Sequence, residues 1–356
     1  MKTIFKHKKI SSILSILPET EIRFDDEIVN YKLTNERAIK FKRTLGLDTH
    51  RIAKDTTAVS DFACYGLKYM LDKNWIKKDE IGAIVVVSIC PDYFLPHISN
   101  IVHGELDLPR DILCLDISQA CCGYLQGLME SFMILEHIND KKVVLINGDV
   151  SSRSTNKNDT NFYPMIGDGA AISVIENDYD NIFSDIYFEL NIDGKRRDVL
   201  KVEAGGFRKR PDETTKIVKD RGNGVKCAEE QVYMDGLKVF NFVISDVAQM
   251  ITRIFSENNI NDIDYFYFHQ PNIYLLKQLI NMTDIPLDKA PINLVTKYGN
   301  MVSASIPAVI ALNNKNEMTS KVNKCFLSAF GAGLAYGCAI MDIGKLNHIE
   351  EIISNL

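Results

Sequence analysis

The chain holds one tryptophan in 356 residues and no excess of positive charge. Nor does it contain an uninterrupted apolar run near the roughly 18 residues that cross a membrane. Lysine plus arginine number 41 against 47 acidic residues, a net charge of −6, which weighs against nucleic acid as a partner because phosphate binding rests on a cation excess. The eight cysteines include no CxxC pair and no histidine at zinc spacing, so a metal site is not expected. Most sit inside apolar runs, as buried small hydrophobes do, which fits a reduced compartment. The opening MKTIFKHKKISSILSILPETEIRF is basic and then apolar, but Ser11, Ser12 and Ser15 interrupt it and no small-residue cleavage site follows. It reads as a first strand, and no membrane insertion and a cytoplasmic location are the expectations.

What is present suits a large folded core: 46% of residues are hydrophobic and 25% charged. Helical and extended patterns alternate, which argues an α/β layered fold. Residues 56–74 carry Val59, Phe62, Ala63, Leu67, Met70 and Leu71 at helical spacing, with Asp55 or Thr56 as cap, and the buried-strand run Ile84 to Val87 follows. The same order recurs in 238–256, where Val239, Phe240, Val243, Ile244, Val247, Ile251 and Ile254 precede the strand Tyr265 to Phe268. Gly167-Asp168-Gly169-Ala170-Ala171 and Gly331-Ala332-Gly333-Leu334-Ala335 each open an apolar strand. These correspondences predict a duplicated chain with halves 1–177 and 178–356. Residues 178–226, with the basic cluster Arg208-Lys209-Arg210, read as a solvated excursion or as a rim meeting phosphates or an acidic partner.

Three segments carry possible chemistry. In Asp116-Ile117-Ser118-Gln119-Ala120-Cys121-Cys122-Gly123-Tyr124, an apolar strand, a small-residue turn and a helical run place Cys121 at a helix N-terminus. Unpaired amides and the helix dipole there favour thiolate, and the same amides suit an oxyanion. Cys122 reads as a packing residue. His269, in Phe268-His269-Gln270-Pro271-Asn272, ends a strand where open α/β sheets place ligands. Tyr298-Gly299-Asn300-Met301-Val302-Ser303-Ala304-Ser305-Ile306-Pro307 reads as a turn before a closely packed helix. Taken singly, a buried cysteine pair, a core histidine and a plain loop would account for them.

In this order and with these flanks the three segments resemble the beta-ketoacyl-acyl-carrier-protein synthase III family of the thiolase fold. The nucleophile motif stands as Asp116, Ala120, Cys121, Gly123 and Tyr124. The His-Gln-x-Asn motif stands as His269, Gln270 and Asn272, and the Gly-Asn motif as Gly299, Asn300, Ser303, Ala304, Ser305 and Pro307. Leu17-Pro18-Glu19, Gly167-Asp168-Gly169, Met234-x-Gly236 and Phe330-Gly331-Ala332-Gly333 extend the likeness over about 10–345.

The resemblance implies a layered α-β-α-β-α fold of two pseudo-twofold halves, and ping-pong acyl transfer followed by decarboxylative condensation. Cys121 would take the acyl group, with Cys121 and Ala332 amides holding the oxyanion. His269 Nε2–H and the Asn300 carboxamide would stabilise the carbanion from a malonyl thioester. Leu95, Met234, Gly236, Phe240, Asn272, Phe330 and Gly331 fall at substrate-binding positions, and Leu95 belongs to a loop, Tyr93-Phe94-Leu95-Pro96, at the acyl-pocket gate. The implied partners are acyl-CoA or acyl-carrier protein, malonyl-acyl-carrier protein and a second copy of the chain as homodimer, with no tightly bound cofactor. The family's early tryptophan and Arg-Thr-Gly-Ile are here replaced by Arg43-Thr44-Leu45-Gly46-Leu47, and its carrier-docking cations by Asn241 and Tyr274; Arg208, Lys209 and Arg210 stand as substitutes for docking. An acyltransferase forming an ester or amide on the same cysteine, or a specialised polyketide-type synthase, is the alternative. A non-catalytic partner subunit or a papain-like hydrolase fits the triad and its flanks less well.

Overall fold

The computed structural model describes residues 1–138, 140–222 and 224–356. Two sheets carry it. In the first, the strands run in the spatial order His348–Ser354, Lys8–Pro18, Gly169–Asn177, Lys142–Asp149, Ile81–Val87, Leu113–Ile117. In the second the order is Lys2–Phe5, Ile186–Ile192, Ala335–Gly344, Val322–Gly331, Tyr265–Phe268. Each half therefore repeats one sequence of neighbours, with the strand Leu113–Ile117 lacking a counterpart. The run Ile81–Val87 is buried along its whole length between two parallel neighbours, which explains its unbroken aliphatic composition.

A core of interleaved side chains lies between the sheets. It is filled from the helix Gly123–Leu135 by Tyr124, Leu128 and Phe132 and from Ser305–Asn313 by Ile306, Val309 and Ile310. Ser305–Asn313 is apolar on nearly every face because it is enclosed on all sides. Outside the first sheet packs Val59–Asp72, through Phe62, Ala63 and Leu67. Outside the second pack Ala248–Glu257 and Ile273–Met282, through Ile251, Ile254, Leu276 and Leu279. Helix, sheet, helices, sheet, helices: this is the layering of the thiolase fold.

The structure corrects four details of the sequence reading. The opening forms two strands, not one, and they join different sheets, the chain turning between them at His7 with φ of 54°. Lys2–Phe5 completes the second sheet and His348–Ser354 the first, so both terminal strands cross the 177/178 division. The helix expected over 56–74 begins at Val59, with Asp61 rather than Asp55 or Thr56 accepting from the Ala58 amide at 2.7 Å. Finally, part of the polar stretch 178–226 is a central strand, Ile186–Ile192. Its Glu189 is buried and neutralised by two hydrogen bonds from Arg253, 2.6 and 2.7 Å, which hides a core strand behind a charged letter.

Among the described residues no helix is long and apolar enough to cross a membrane.

Candidate active site

Cys121 ends the turn after Leu113–Ile117, and Cys122 caps the helix Gly123–Leu135. The turn is fixed on both sides. Asp116 accepts from the amides of Ile98 and Ser99 at 2.7 and 3.0 Å, capping the neighbouring helix Ile98–Glu105. Gly123 sits against Val87 and Ser303, where a Cβ would approach to 2.6 and 3.0 Å. Gly331, arriving from the second sheet, lies against the nucleophile itself: a Cβ there would come 2.6 Å from Cys121 Cβ and 3.0 Å from its Sγ. Each half thus contributes a glycine that lets the other approach. Cys122 is buried and donates to Ala329 O at 3.7 Å, a packing role.

His269 continues the ladder of Tyr265–Phe268 through its amide on Ser328 O, 2.9 Å, and its ring meets Phe330 edge to face at 5.8 Å. Its Nδ1 is 3.2 Å from Ser305 Oγ, which in turn is 2.7 Å from Val302 O. Nε2 is the nitrogen left for a substrate. Asn300 is gripped by its backbone, donating to Met165 O at 2.6 Å and accepting from the Gly167 amide at 3.1 Å. Its Oδ1 accepts from the Val302 amide at 2.9 Å, so Nδ2 is the end of the carboxamide free to donate.

A cavity of about 600 Å³ opens onto Asn300, within the range of small-molecule sites. Met234, Gly236, Phe240 and Asn272 line it, as the sequence led us to expect, together with Phe41, Leu45, Phe162 and Tyr274. Asn272 also caps Ile273–Met282, its Oδ1 accepting from the Leu275 amide at 2.9 Å. Phe330, Gly331, His269 and Cys121 are not among the cavity's lining residues; Phe330 packs on the His269 ring and Gly331 on Cys121. Leu95 is not among the lining residues and is 80% exposed, on a loop whose Phe94 packs against Phe207. Ala332 occupies the turn between Val322–Gly331 and Ala335–Gly344; among the described residues no oxygen accepts from its amide or from that of Cys121, which faces its own Sγ. In the cluster Arg208-Lys209-Arg210 both arginines are exposed and, among the described residues, only the lysine is ion-paired. Lys209 pairs with Glu229 at 2.6 Å and Glu203 at 3.6 Å, and Arg210 lies over the Phe207 ring.

The electrostatics depart from the expectation of a stabilised thiolate. Cys121 keeps some exposed surface, but protein packs around it, and burial together with the Asp149 carboxylate pushes the thiol up to about 12. Its own amide pulls only weakly the other way. Burial pushes His269 down to about 3, against a small opposing pull from the Val302 carbonyl. Both groups are therefore neutral near pH 7. Asp149 had no signal in the sequence beyond being a polar residue ending an apolar strand. It is buried, bound by Ser88 Oγ, the Ile89 amide and Ser303 Oγ at 3.1, 2.9 and 3.2 Å, and burial raises its carboxyl to about 7.

A duplicated α-β-α-β-α fold in which one half brings a cysteine and the other a histidine and an asparagine defines a thiolase-fold acyl-transferring condensing enzyme. Residues 115–194 match the family model described as 3-oxoacyl-[acyl-carrier-protein (ACP)] synthase III, and 256–343 match the one for its C terminal part. A putative 3-oxoacyl-[acyl-carrier-protein] synthase 3 of Campylobacter jejuni is 32% identical over 97% of each chain. A beta-ketoacyl-[acyl-carrier-protein] synthase III of Clostridium beijerinckii is 29% identical over 94% of this chain and 98% of its own. The crystal structure of a 3-oxoacyl-(acyl-carrier protein) synthase from Burkholderia xenovorans superposes with a TM-score of 0.90, 26% identity and 99% coverage of both chains. The chain belongs to the 3-oxoacyl-[acyl-carrier-protein] synthase III family.

Proposed function

We propose that the chain joins an acyl group to a malonyl thioester with loss of carbon dioxide. The Cys121 sulfur attacks the carbonyl of an acyl thioester borne on CoA or a carrier protein. The amides of Cys121 and Ala332 receive the oxyanion, and its collapse leaves the acyl group on sulfur and expels the donor thiol. A thiol near 12 is a poor resting nucleophile, so its proton leaves during attack rather than before it. Neutral His269 Nε2 is the available acceptor and returns that proton to the departing thiolate.

In the second half, the malonyl arm of malonyl-carrier protein enters the cavity that opens onto Asn300, and its carboxylate leaves as carbon dioxide. The electron pair is delocalised onto the thioester oxygen, toward which His269 Nε2–H and Asn300 Nδ2–H donate. The carbanion then attacks the acyl carbonyl, the new carbon–carbon bond forms, and Cys121 leaves as thiolate and takes up a proton from water. The Ser305 hydroxyl serves both roles of the imidazole: donating to Val302 O, it accepts from Nδ1–H and leaves a lone pair on Nε2; turned toward Nδ1, it leaves the proton on Nε2. The observation that carries this reading is the Asn300 carboxamide, oriented by the Val302 amide so that a donor faces the cavity. A neutral donor suits a developing enolate. No bound cofactor takes part.

Mass spectrometry after incubation with a panel of acyl-CoAs and acyl-carrier proteins tests the proposal. We expect an acyl adduct on Cys121 that malonyl-carrier protein discharges with release of carbon dioxide. Discharge only by an amine or alcohol would establish ester or amide formation instead.

A homodimer in the cytoplasm completes the proposal. The strand Leu113–Ile117, immediately before Cys121, has a partner on one side only and leaves Leu113 49% exposed. An edge of this kind suits pairing with a second copy. It would also give the exposed Tyr93-Phe94-Leu95 loop a partner surface.

A further inference from the structure

One buried polar cluster lies outside the machinery described above. Residues 19–58 leave the first sheet after Lys8–Pro18 and return before Val59–Asp72. Within them His50 is 1% exposed and Glu27 6%. His50 Nδ1 lies 2.7 Å from Ile166 O, and its Nε2 lies 3.1 Å from Glu27 Oε2, which also accepts from Tyr31 OH at 2.9 Å. A carbonyl oxygen only accepts, so the proton on Nδ1 is fixed by Ile166. The ring is further held edge to face on Tyr163, 5.6 Å between centroids. This is a fully bonded imidazole inside apolar surroundings, costly to place there unless every nitrogen is satisfied.

Its target is informative. Ile166 is the bridge partner of Asn300, flanked by the two backbone bonds that hold Asn300, from its amide to Met165 O and from the Gly167 amide to its carbonyl. The two segments cross so closely that only glycines fit. A Cβ on Gly167 would lie 1.9 Å from Tyr298 O, and one on Gly299, at φ of 81°, would lie 2.6 Å from the Ile166 carbonyl. The peptide on which Gly299 rests is thus the peptide whose oxygen His50 holds. Rotation of that peptide would carry the Asn300 backbone with it.

We propose that His50 is a positioning residue for Asn300: by holding the Ile166 carbonyl it fixes the crossing of 165–167 with 298–300 and so the aim of the Asn300 carboxamide into the cavity. The inference rests on the role given to Asn300 above. Asn300 acts only in the malonyl half of the reaction, so His50 influences that half and not the loading of Cys121.

Two substitutions separate positioning from mere packing. His50→Asn keeps a nitrogen donor near the place of Nδ1 and loses the reach to Glu27. His50→Gln keeps a nitrogen near Nε2 and loses the bond to Ile166. Both forfeit the ring against Tyr163, so both lower the melting temperature by similar amounts. We expect His50→Gln to slow malonyl-carrier decarboxylation by about tenfold or more, as small misplacements of a reacting group do, while Cys121 acylation stays within about twofold of wild type. His50→Asn should stay close to wild type in both steps. Equal behaviour of the two variants, or a parallel loss in both steps, would overturn the proposal. Crystal structures of both variants decide the matter even if wild type releases no carbon dioxide, an outcome that would remove the condensation reading itself. A shift of Ile166 and Asn300 in His50→Gln alone supports the positioning role; unchanged positions in both variants refute it.

Discussion

Two excursions occupy equivalent places in the duplicated chain, each between the first long strand of its half and the helix that follows. Residues 19–58 depart after Lys8–Pro18, and 193–235 depart after Ile186–Ile192. Both wall the same cavity, the first with Phe41 and Leu45, the second with Val225 and Met234. They are held by different balances of burial and charge, although the first also has ion pairs such as Lys42–Asp25 and the second buries Val225 and Cys227. The first builds its own small core from Phe24, Tyr31, Ala38 and Leu47 against Tyr163 and Met165. The second relies on ion pairs: Lys209 and Lys219 with Glu229, and Lys209 and Arg221 with Glu203. It also leaves Phe207 75% and Ile217 55% exposed. Burial is non-directional and insensitive to salt, whereas exposed ion pairs are weak and screened. The first excursion is packed against Tyr163 and Met165, next to the Asn300 crossing, and the second is the more sensitive of the two to salt.

The largest effect expected from breaking this contrast follows removal of the first core. Phe24→Ala should cost about 3–5 kcal/mol, the usual loss for a fully buried aromatic, measured by chemical denaturation; a cost near zero would show that the cluster is not what anchors the excursion.

A smaller effect concerns Cys121, where burial and the Asp149 carboxylate act in the same direction. With the Cys121 thiol near 12, iodoacetamide labelling of the free enzyme should rise about tenfold per pH unit from 7 to 10, following the thiolate fraction. An ordinary cysteine would level off near its usual value. Asp149→Asn preserves the acceptor toward Ser88 and Ile89 and removes the charge, so labelling at pH 7 should increase. The same variant tests stability. A carboxyl raised from 3.8 to about 7 holds its proton longer folded than unfolded, so stability falls as pH climbs through that interval. The substitution should flatten this slope, and an unchanged slope would place the titration elsewhere.

The smallest effect belongs to the second excursion. Glu229→Gln should leave the global unfolding midpoint nearly unchanged while speeding proteolytic cleavage within 203–221. In wild type, 1 M salt should reproduce that increase; equal protease sensitivity of both excursions under salt would erase the distinction.

Much of the site was legible because its chemistry is local. A strand, a small-residue turn and a helix place Cys121 within one short segment, and the cavity residues Met234, Gly236 and Phe240 are close neighbours in the chain. The thiol's electrostatics were misread for the complementary reason. Helix dipoles can be inferred from sequence, but the burial and the Asp149 carboxylate that outweigh the dipole are assembled from strands far apart. His50 escaped notice likewise, since its partners Glu27 and Ile166 lie 23 and 116 residues away. The strand Ile186–Ile192 was hidden by Glu189, whose neutralising Arg253 is 64 residues distant. Leu95 was placed by likeness alone, and among the described residues it does not line the cavity that holds Met234 and Phe240.

The exchange of terminal strands has a consequence for biogenesis. The first sheet keeps an open edge until His348–Ser354 pairs in parallel with Lys8–Pro18. On a translating ribosome the N-terminal half must therefore wait, incompletely zipped, for His348–Ser354 to emerge from the exit tunnel. Maturation of the nucleophile's own sheet is tied to a strand made more than two hundred residues after Cys121, and a nascent chain released before that strand would carry a cysteine without a finished scaffold.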